Sequence, residues 1–211
     1  MSAVALNPHE LKVVAFDCDG VMFDSSHSNR AYYDHILQHF GRAPMTDQQF
    51  AFAHMHTVNE ALAHLFDDPE TLTQVWQYCR QLSYMPFIRH MVIEPHLKAV
   101  LARLRPTYNT AIATNRTNTM AHVLEVHGLT TYFDKVVTAS DVQHAKPDPE
   151  QLLVILDHFK IGPPQMLYVG DSELDAMAAE RSGVPFVAFG NPSLKAQAHI
   201  QNLNQLMSLL K

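Results

Sequence analysis

The sequence contains little cysteine, no excess of positive charge and no long uninterrupted apolar run. Its two cysteines, Cys18 and Cys79, offer no disulfide framework, so we expect a reduced, cytoplasmic location. With 15 lysines and arginines against 21 aspartates and glutamates, the chain lacks the basic surface that non-specific nucleic-acid binding requires. No apolar run approaches the roughly 20 residues that cross a bilayer, and we expect no secretory signal in the N-terminal segment.

Short apolar segments alternate with segments of helical length along most of the chain. The apolar segments are typical of strands buried on both faces of a parallel sheet, and they lie at 13–16, 111–113, 136–137, 166–169 and 186–189. Amphipathic stretches of helical length lie at 97–104, 117–127 and 149–158. The alternation predicts an α/β fold with a doubly wound, Rossmann-like parallel sheet.

Residues 24–90 follow a different pattern. No clear β run occurs there, and apolar residues recur at helical spacing. Turn-forming residues at 41–47 and 67–70 separate the helical stretches. We therefore predict a Rossmann-like core at 1–23 and 91–211, with a helical insertion at 24–90.

Polar side chains follow four of the predicted strands. Asp17 and Asp19 follow the first strand, and the later strands are followed by Thr114, Asn115, Lys146, Asp171, Ser172 and Asp175. The carboxyl ends of parallel strands meet at one edge of a sheet, and ligands of open α/β sheets bind there. We therefore expect these side chains to form one site.

The aspartates among them predict a cation site. In an extended segment Asp17 and Asp19 point to the same side while Cys18 points away, and Asp171 adds a third carboxylate. Carboxylates held this close repel one another unless a cation or a proton lies between them. Three carboxylates with the single lysine Lys146 suit Mg²⁺, which prefers sparse oxygen ligation completed by waters and a substrate phosphate.

The same residues predict phosphoryl transfer to a carboxylate. With the metal and Lys146 offsetting charge, a phosphate dianion can approach Asp17, which is ionised at neutral pH and needs no base to activate it. We expect the Thr114 hydroxyl to hold a phosphoryl oxygen and Gly20 to let the chain pass close to the phosphate. Asp19 is placed to protonate the leaving alkoxide and then to deprotonate the attacking water.

Four segments, in a fixed order, resemble the signature of the haloacid dehalogenase-like superfamily of aspartate-nucleophile phosphatases. They read VVAFDCDGVMFDS at 13–25, AIATN at 111–115, KPDPE at 146–150 and YVGDSELDAMAAERSGVP at 168–185. Each segment alone is modestly specific, but the ordered set is very specific. An insertion between the first and second segments is similar to the phosphoglycolate phosphatase and β-phosphoglucomutase branch.

This resemblance implies a role for each residue. It implies that Asp17 is the nucleophile, that Asp19 is the acid/base and binds the metal through its carbonyl, and that Asp171 is a metal ligand. The implied phosphate contacts are Thr114, Asn115 and Lys146, and the implied supporting residues are Gly20, Ser172 and Asp175. The insertion at 24–90 resembles the family's cap, which excludes water and selects the substrate.

The sequence gives weaker indications of function for the remaining cysteine, histidine and polar residues. The alternation along the first strand predicts a passive core position for Cys18. His54 and His56 have no further ligand at metal-binding spacing and are interpreted as solvated histidines. Three residues are candidate substrate contacts, namely His56, Thr57 and Arg116.

Three competing functions share this fold. A dehalogenase lacks the second aspartate of the first segment, so Asp19 argues against it. A sugar-phosphate mutase keeps every residue above and differs in its cap; the scattered Arg42, Arg80 and Arg89 do not form a cationic loop that grips a second phosphate. A catalytically silent binding protein is expected to have lost a charged position, and none is missing.

The sequence therefore predicts a Mg²⁺-dependent phosphatase that forms an aspartyl phosphate on Asp17. Its expected partner is a small phosphorylated metabolite, with a phosphoglycolate-like acid as the first candidate. Nucleic acid and membrane are not expected as partners. The mutase stays the main alternative, and the sequence carries no indication of the oligomeric state.

Overall fold

A computed structural model of the chain describes residues 7–55 and 58–210. These residues form two compact units. One unit comprises the described residues up to Asp24 and from Ile93 onward, and the other comprises Ser25–Val92. Among the described residues, no helix combines the length and apolarity needed to cross a membrane.

The first unit is built on a parallel sheet of six strands. In chain order, the strands of the described residues are β1 (Val13–Phe16), β2 (Phe23–Asp24), β3 (Val92–Ile93), β4 (Asn109–Thr114), β5 (Lys135–Thr138), β6 (Met166–Gly170), β7 (Phe186–Phe189) and β8 (Ala198–Ile200). The sheet has the order β5-β4-β1-β6-β7-β8, and every pairing in it is parallel. The predicted α/β fold with a doubly wound sheet is confirmed.

Helices follow most of these strands. In chain order, the α-helices of the described residues are α1 (Ser26–His39), α2 (Asp47–Met55), α3 (Val58–Leu65), α4 (Pro69–Gln81), α5 (Leu97–Leu104), α6 (Met120–Val126), α7 (Glu150–Phe159), α8 (Glu173–Ser182) and α9 (Leu206–Leu209). Short 3₁₀ helices lie at Met85–His90, Ala139–Asp141, Pro163–Gln165 and Leu203–Gln205. The predicted helical stretch at 97–104 therefore has the bounds of α5.

The central strand β1 is buried and paired on both sides next to the site. All four of its side chains, from Val13 to Phe16, are fully buried, because β4 and β6 pair with it on both sides and helices cover the sheet. Burying a side chain of the size of Val13 or Phe16 contributes about 1.5–3 kcal/mol. Backbone pairing continues one residue beyond the strand, since the Asp17 amide donates to the Val169 carbonyl at 2.9 Å.

The second unit, Ser25–Val92, contains α1–α4 and the first 3₁₀ helix. Its core includes the fully buried Ile36 of α1, Leu62 of α3 and Val75 of α4. Helix α4 begins where the sequence signals a start: the Asp68 carboxylate accepts from the Thr71 amide at 2.7 Å, and Pro69 occupies the first helical position.

Candidate active site

Three adjacent strands bring the predicted site residues to one edge of the sheet. Asp17 directly follows β1, Thr114 is the last residue of β4, and Asp171 directly follows β6. Strand β1 lies between the other two, and all three run in the same direction. Their carboxyl ends therefore meet, as expected for the ligand site of an open α/β sheet.

Lys146 is the centre of the hydrogen-bond network at this edge. Its ammonium lies 2.7 Å from both Asp17 Oδ1 and Asp175 Oδ1, 2.9 Å from the Tyr168 hydroxyl and 3.0 Å from the Ala113 carbonyl. The side chain is only 3% exposed. Burial alone would lower the pKa of Lys146, but the two carboxylates raise it above its ordinary value. The ammonium therefore stays charged and fixes both aspartates.

Three carboxylates form a group that can hold a metal ion. Asp17, Asp171 and Asp175 each present an oxygen, and the three oxygens lie within 4.8 Å of one another. Burial, reinforced by the charges of neighbouring aspartates, raises the pKa of Asp17 to about 8 despite the opposing effect of Lys146. Burial and Asp175 likewise raise the pKa of Asp171 to about 7.

The raised pKa values mean that Asp17 and Asp171 hold their protons more tightly than ordinary carboxyl groups when no cation is bound, because burial and neighbouring carboxylates disfavour their charged forms. The expectation that Asp17 is ionised at neutral pH therefore requires a bound cation. A hard divalent cation fits such a set of oxygen ligands, and Mg²⁺ is the usual choice when substrate phosphate completes its shell. The predicted metal ligands were Asp17, Asp19 and Asp171. The group found among the described residues consists of the side chains of Asp17, Asp171 and Asp175, and the implied ligation by the Asp19 carbonyl stays a prediction.

Both oxygens of Asp175 already have donors. Oδ1 accepts from Lys146 and from the Tyr168 hydroxyl, each at 2.7 Å. Oδ2 accepts from the Ser172 hydroxyl at 2.6 Å and from its amide at 3.1 Å, which forms a capping box at the start of α8. Burial would raise the pKa of Asp175, but Lys146 and these donors lower it. Asp175 therefore both caps α8 and positions Lys146.

Gly20 is required by the position of Asp171. Its φ is +81°, a region that favours glycine, and a Cβ placed there would lie 2.0 Å from Asp171 Oδ2. The sequence predicts that Gly20 lets the chain pass close to a phosphate. In the structure the close approach of the described residues is to the Asp171 carboxylate.

Asp19 is paired with Arg116. The Arg116 Nε atom donates to Asp19 Oδ2 and Nη2 donates to Oδ1, both at 2.7 Å. This is the two-bond geometry that a guanidinium makes with a carboxylate. The sequence predicts Arg116 as a substrate contact and gives no indication of this pairing, because 97 positions separate the two residues.

Thr114 and Asn115 connect the β4 loop to the lysine loop. The Thr114 side chain is buried, its hydroxyl accepts from the Arg116 amide at 3.2 Å, and its carbonyl accepts from Gln151 Nε2 at 2.8 Å. The Asn115 side chain donates to the Lys146 carbonyl and accepts from the Lys146 amide, both at 3.0 Å. Asn115 thus links two loops, and its predicted phosphate contact stays a prediction.

Sequence reasoning missed Tyr168 and Gln151. Tyr168 is the one residue of β6 with a side-chain hydrogen-bonding group, and this is the signal in the sequence that could have identified it.

Cys18 is fully buried, and burial, followed by the charge of Asp19, raises the pKa of its thiol well above the ordinary value. The candidate contacts His56 and Thr57 lie outside the described residues.

Comparison with known proteins decides the family. A sequence model described as haloacid dehalogenase-like hydrolase matches residues 14–189. The phosphoglycolate phosphatase of Rhodobacter capsulatus is 32% identical over 181 residues, which cover 82% of each of the two chains. The chain belongs to the haloacid dehalogenase-like hydrolase family. Membership confirms the resemblance seen in the four segments and the prediction of an enzyme of the phosphatase class.

Solved structures of this haloacid dehalogenase-like fold agree with the assignment. A subfamily IA, variant 1 hydrolase from Geobacter sulfurreducens is 37% identical, with a TM-score of 0.90 over 99% of this chain and 100% of that chain. A β-phosphoglucomutase from Clostridium difficile is 17% identical, with a TM-score of 0.71 over 93% of each chain. The second likeness concerns the fold alone.

Proposed function

We propose that the chain is a Mg²⁺-dependent phosphatase that hydrolyses a small phosphomonoester through an aspartyl phosphate on Asp17. One observation carries the proposal: Lys146 fixes Asp17 Oδ1 at 2.7 Å within a group of three carboxylates at the carboxyl edge of the sheet. Such an arrangement supports an oriented carboxylate nucleophile beside a cation site.

In the first step an oxygen of Asp17 attacks the phosphorus, and the bond from phosphorus to the leaving oxygen breaks. Asp19 gives its proton to that oxygen, so that an alcohol departs. In the second step Asp19 takes a proton from water as the water attacks phosphorus, and the bond from phosphorus to Asp17 breaks. Inorganic phosphate leaves and Asp17 returns to its starting state.

The supporting residues hold this geometry. Asp17 and Asp171, with the Asp19 carbonyl, would hold Mg²⁺, which when bound neutralises charge on the phosphoryl oxygens. Lys146 keeps Asp17 oriented and contributes the remaining positive charge, and Thr114 binds a phosphoryl oxygen. We extend the proposal to Ser25–Val92, which acts as a cap that selects the substrate.

The proposed substrate is a small phosphorylated acid of the phosphoglycolate kind. Its support is the Rhodobacter capsulatus relative, which bears the name phosphoglycolate phosphatase and aligns over most of both chains. The test is phosphate release from a panel of phosphomonoesters, including 2-phosphoglycolate, with Mg²⁺ and with a chelator.

The panel is repeated with Asp17→Asn and with Asp157→Asn as the matched control, since Asp157 is an exposed aspartate of α7. We expect metal-dependent release that Asp17→Asn abolishes and Asp157→Asn retains. Release that persists in Asp17→Asn would overturn the proposal. Isomerisation of a sugar phosphate without net release of phosphate would favour a mutase instead.

A further inference from the structure

The carboxylate of Asp19, the proposed acid/base, is held by an ion pair with Arg116. Both carboxylate oxygens of Asp19 accept hydrogen bonds from the Arg116 guanidinium, each at 2.7 Å. Hydrogen bonds of this charge-assisted, paired kind are among the strongest that side chains make. The Arg116 side chain is 10% exposed and that of Asp19 is 37% exposed, so solvent weakens the pair only in part.

Arg116 is itself held in place by its own loop. Its amide donates to the Thr114 hydroxyl at 3.2 Å, and its carbonyl accepts from the Ala139 amide at 2.9 Å. Its Nη1 atom lies 3.3 Å from the Thr119 hydroxyl. The guanidinium therefore extends from a fixed backbone toward Asp19, and its position is tied to the loop that carries the proposed phosphate contact Thr114.

We propose that Arg116 is a positioning residue for Asp19: its guanidinium fork holds the acid/base carboxylate in one orientation for proton transfer. The inference rests on the proposed function, because it takes Asp19 as the group that exchanges protons with the leaving oxygen and with water. Each Asp19 oxygen that accepts an N–H from Arg116 keeps a second lone pair, through which it can hold and exchange a proton while the pair stays in place.

Substrates with different leaving groups distinguish a positioning role of Arg116 from a general effect on the site. An alkoxide needs a proton as it departs, whereas p-nitrophenolate is a stable anion at neutral pH and leaves without one. The ratio kcat/KM reports free-energy differences up to the transition state of the phosphorylation step. Loss of Asp19 positioning should therefore lower kcat/KM for alkyl phosphates far more than for p-nitrophenyl phosphate.

The experiment measures kcat/KM on ethyl phosphate, 2-phosphoglycolate and p-nitrophenyl phosphate for Arg116→Gln, Asp19→Asn and the double variant. General acid catalysis contributes about 10²-fold or more, and we expect Arg116→Gln to lose on the order of 10-fold on both alkyl substrates and less than about 3-fold on the aryl one. In the double variant Arg116→Gln should add no further loss to that of Asp19→Asn. Arg116→Lys should restore part of the activity, because it keeps the charge and loses the fork.

Two outcomes would overturn the positioning role. Equal losses on all three substrates would mark Arg116 as a phosphate contact or as structural support. A rise in KM confined to 2-phosphoglycolate, with ethyl phosphate unaffected, would mark it as a contact for the substrate carboxylate. The proposed function fails separately, if the unmodified protein releases no phosphate or if Asp17→Asn retains full activity.

The pairing itself has a test that does not depend on activity. A double-mutant cycle compares the melting temperatures of the unmodified protein, Arg116→Gln, Asp19→Asn and the double variant. We expect the double variant to lose less than the sum of the single losses, because either substitution alone already breaks the pair. Additive losses would mean that Arg116 does not hold Asp19, and the inference would fall whatever the enzyme's substrate.

Discussion

The Lys146 ammonium and the Asp17 carboxylate lie 2.7 Å apart although 129 positions separate them in the chain. The contact joins the loop before α7 to the end of β1, and Asp175 shares the same ammonium at the same distance. One buried ammonium therefore donates to two buried carboxyl groups. Removing that cation should affect both the folded state and the chemistry.

Lys146→Met should destabilise the protein at neutral pH. The substitution leaves the ionised Asp175 buried without its counter-charge and removes the donor to Asp17 Oδ1, and breaking a buried pair on one side costs roughly 3–5 kcal/mol. Urea unfolding measures the free energy of unfolding, and Lys160→Met is the control because the Lys160–Asp157 pair is exposed and solvent screens it. Equal effects of the two substitutions would contradict the buried network.

Tyr168→Phe should lower both stability and kcat while leaving the ring in place. The hydroxyl accepts from Lys146 and donates to Asp175, so its loss leaves two buried polar groups each short of a partner. Such a loss costs about 1–3 kcal/mol. Thermal unfolding and steady-state kinetics measure the two effects, and a variant that matches the unmodified protein in both would show that the hydroxyl is not needed.

Gly20→Ala should impair the proposed metal site more than its backbone strain explains. The added Cβ would meet the Asp171 carboxylate at 2.0 Å. Gly41→Ala is the matched control, because Gly41 also has positive φ but has no atom within 4 Å of its built Cβ. We expect the Mg²⁺ concentration for half-maximal activity to rise in Gly20→Ala and to be unchanged in Gly41→Ala. A similar response of both variants would argue against the steric explanation.

The metal-free protein should lose stability as the pH rises from about 5 to about 8. Folded Asp17 and Asp171 have pKa values of about 8 and about 7, against an ordinary value of 3.8, so the folded state binds more protons than the unfolded state in this window. The slope of the free energy of unfolding against pH is therefore negative, and stability falls as pH rises. Lys146 does not alter this slope, because its raised pKa acts only above about pH 10.

Melting temperatures in chelator across this pH range test the linkage. Adding Mg²⁺ should raise the melting temperature most at the high end, where the carboxylates are free to bind it. Asp171→Asn should reduce that increment, and Asp157→Asn should preserve it. A melting temperature that rises with pH in the chelator-treated protein would contradict the raised pKa values assigned to this group.

Much of the fold follows from local pattern. The unbroken apolar runs predict strands β1, β4, β5, β6 and β7 because a parallel sheet buries both faces of its strands. Strand β8, Ala198–Ile200, was not predicted, since its central His199 breaks the apolar run and its strand character comes from pairing with β7. Local pattern does not record such a tertiary contact.

The sequence predicts the arrangement of the site only in part. Asp17, Lys146 and Asp171 are predicted to meet because strand order brings their loops together, and the structure places Lys146 against Asp17. The pairing of Asp19 with Arg116 and the hydroxyl of Tyr168 were not predicted. Both depend on side-chain directions across neighbouring strands and loops, and the spacing of residues along the chain does not contain that information.

The central claim, that Asp17 becomes phosphorylated, is tested most directly with Asp19→Asn and p-nitrophenyl phosphate. This substrate needs no acid for the first step, whereas the second step has lost its base, so the phosphorylated enzyme should accumulate. We predict a burst of about one p-nitrophenolate per chain and, after acid quenching, a phosphoryl group on the peptide that contains Asp17. A phosphoryl group on any other residue, or steady release with neither a burst nor a labelled peptide, would contradict the account.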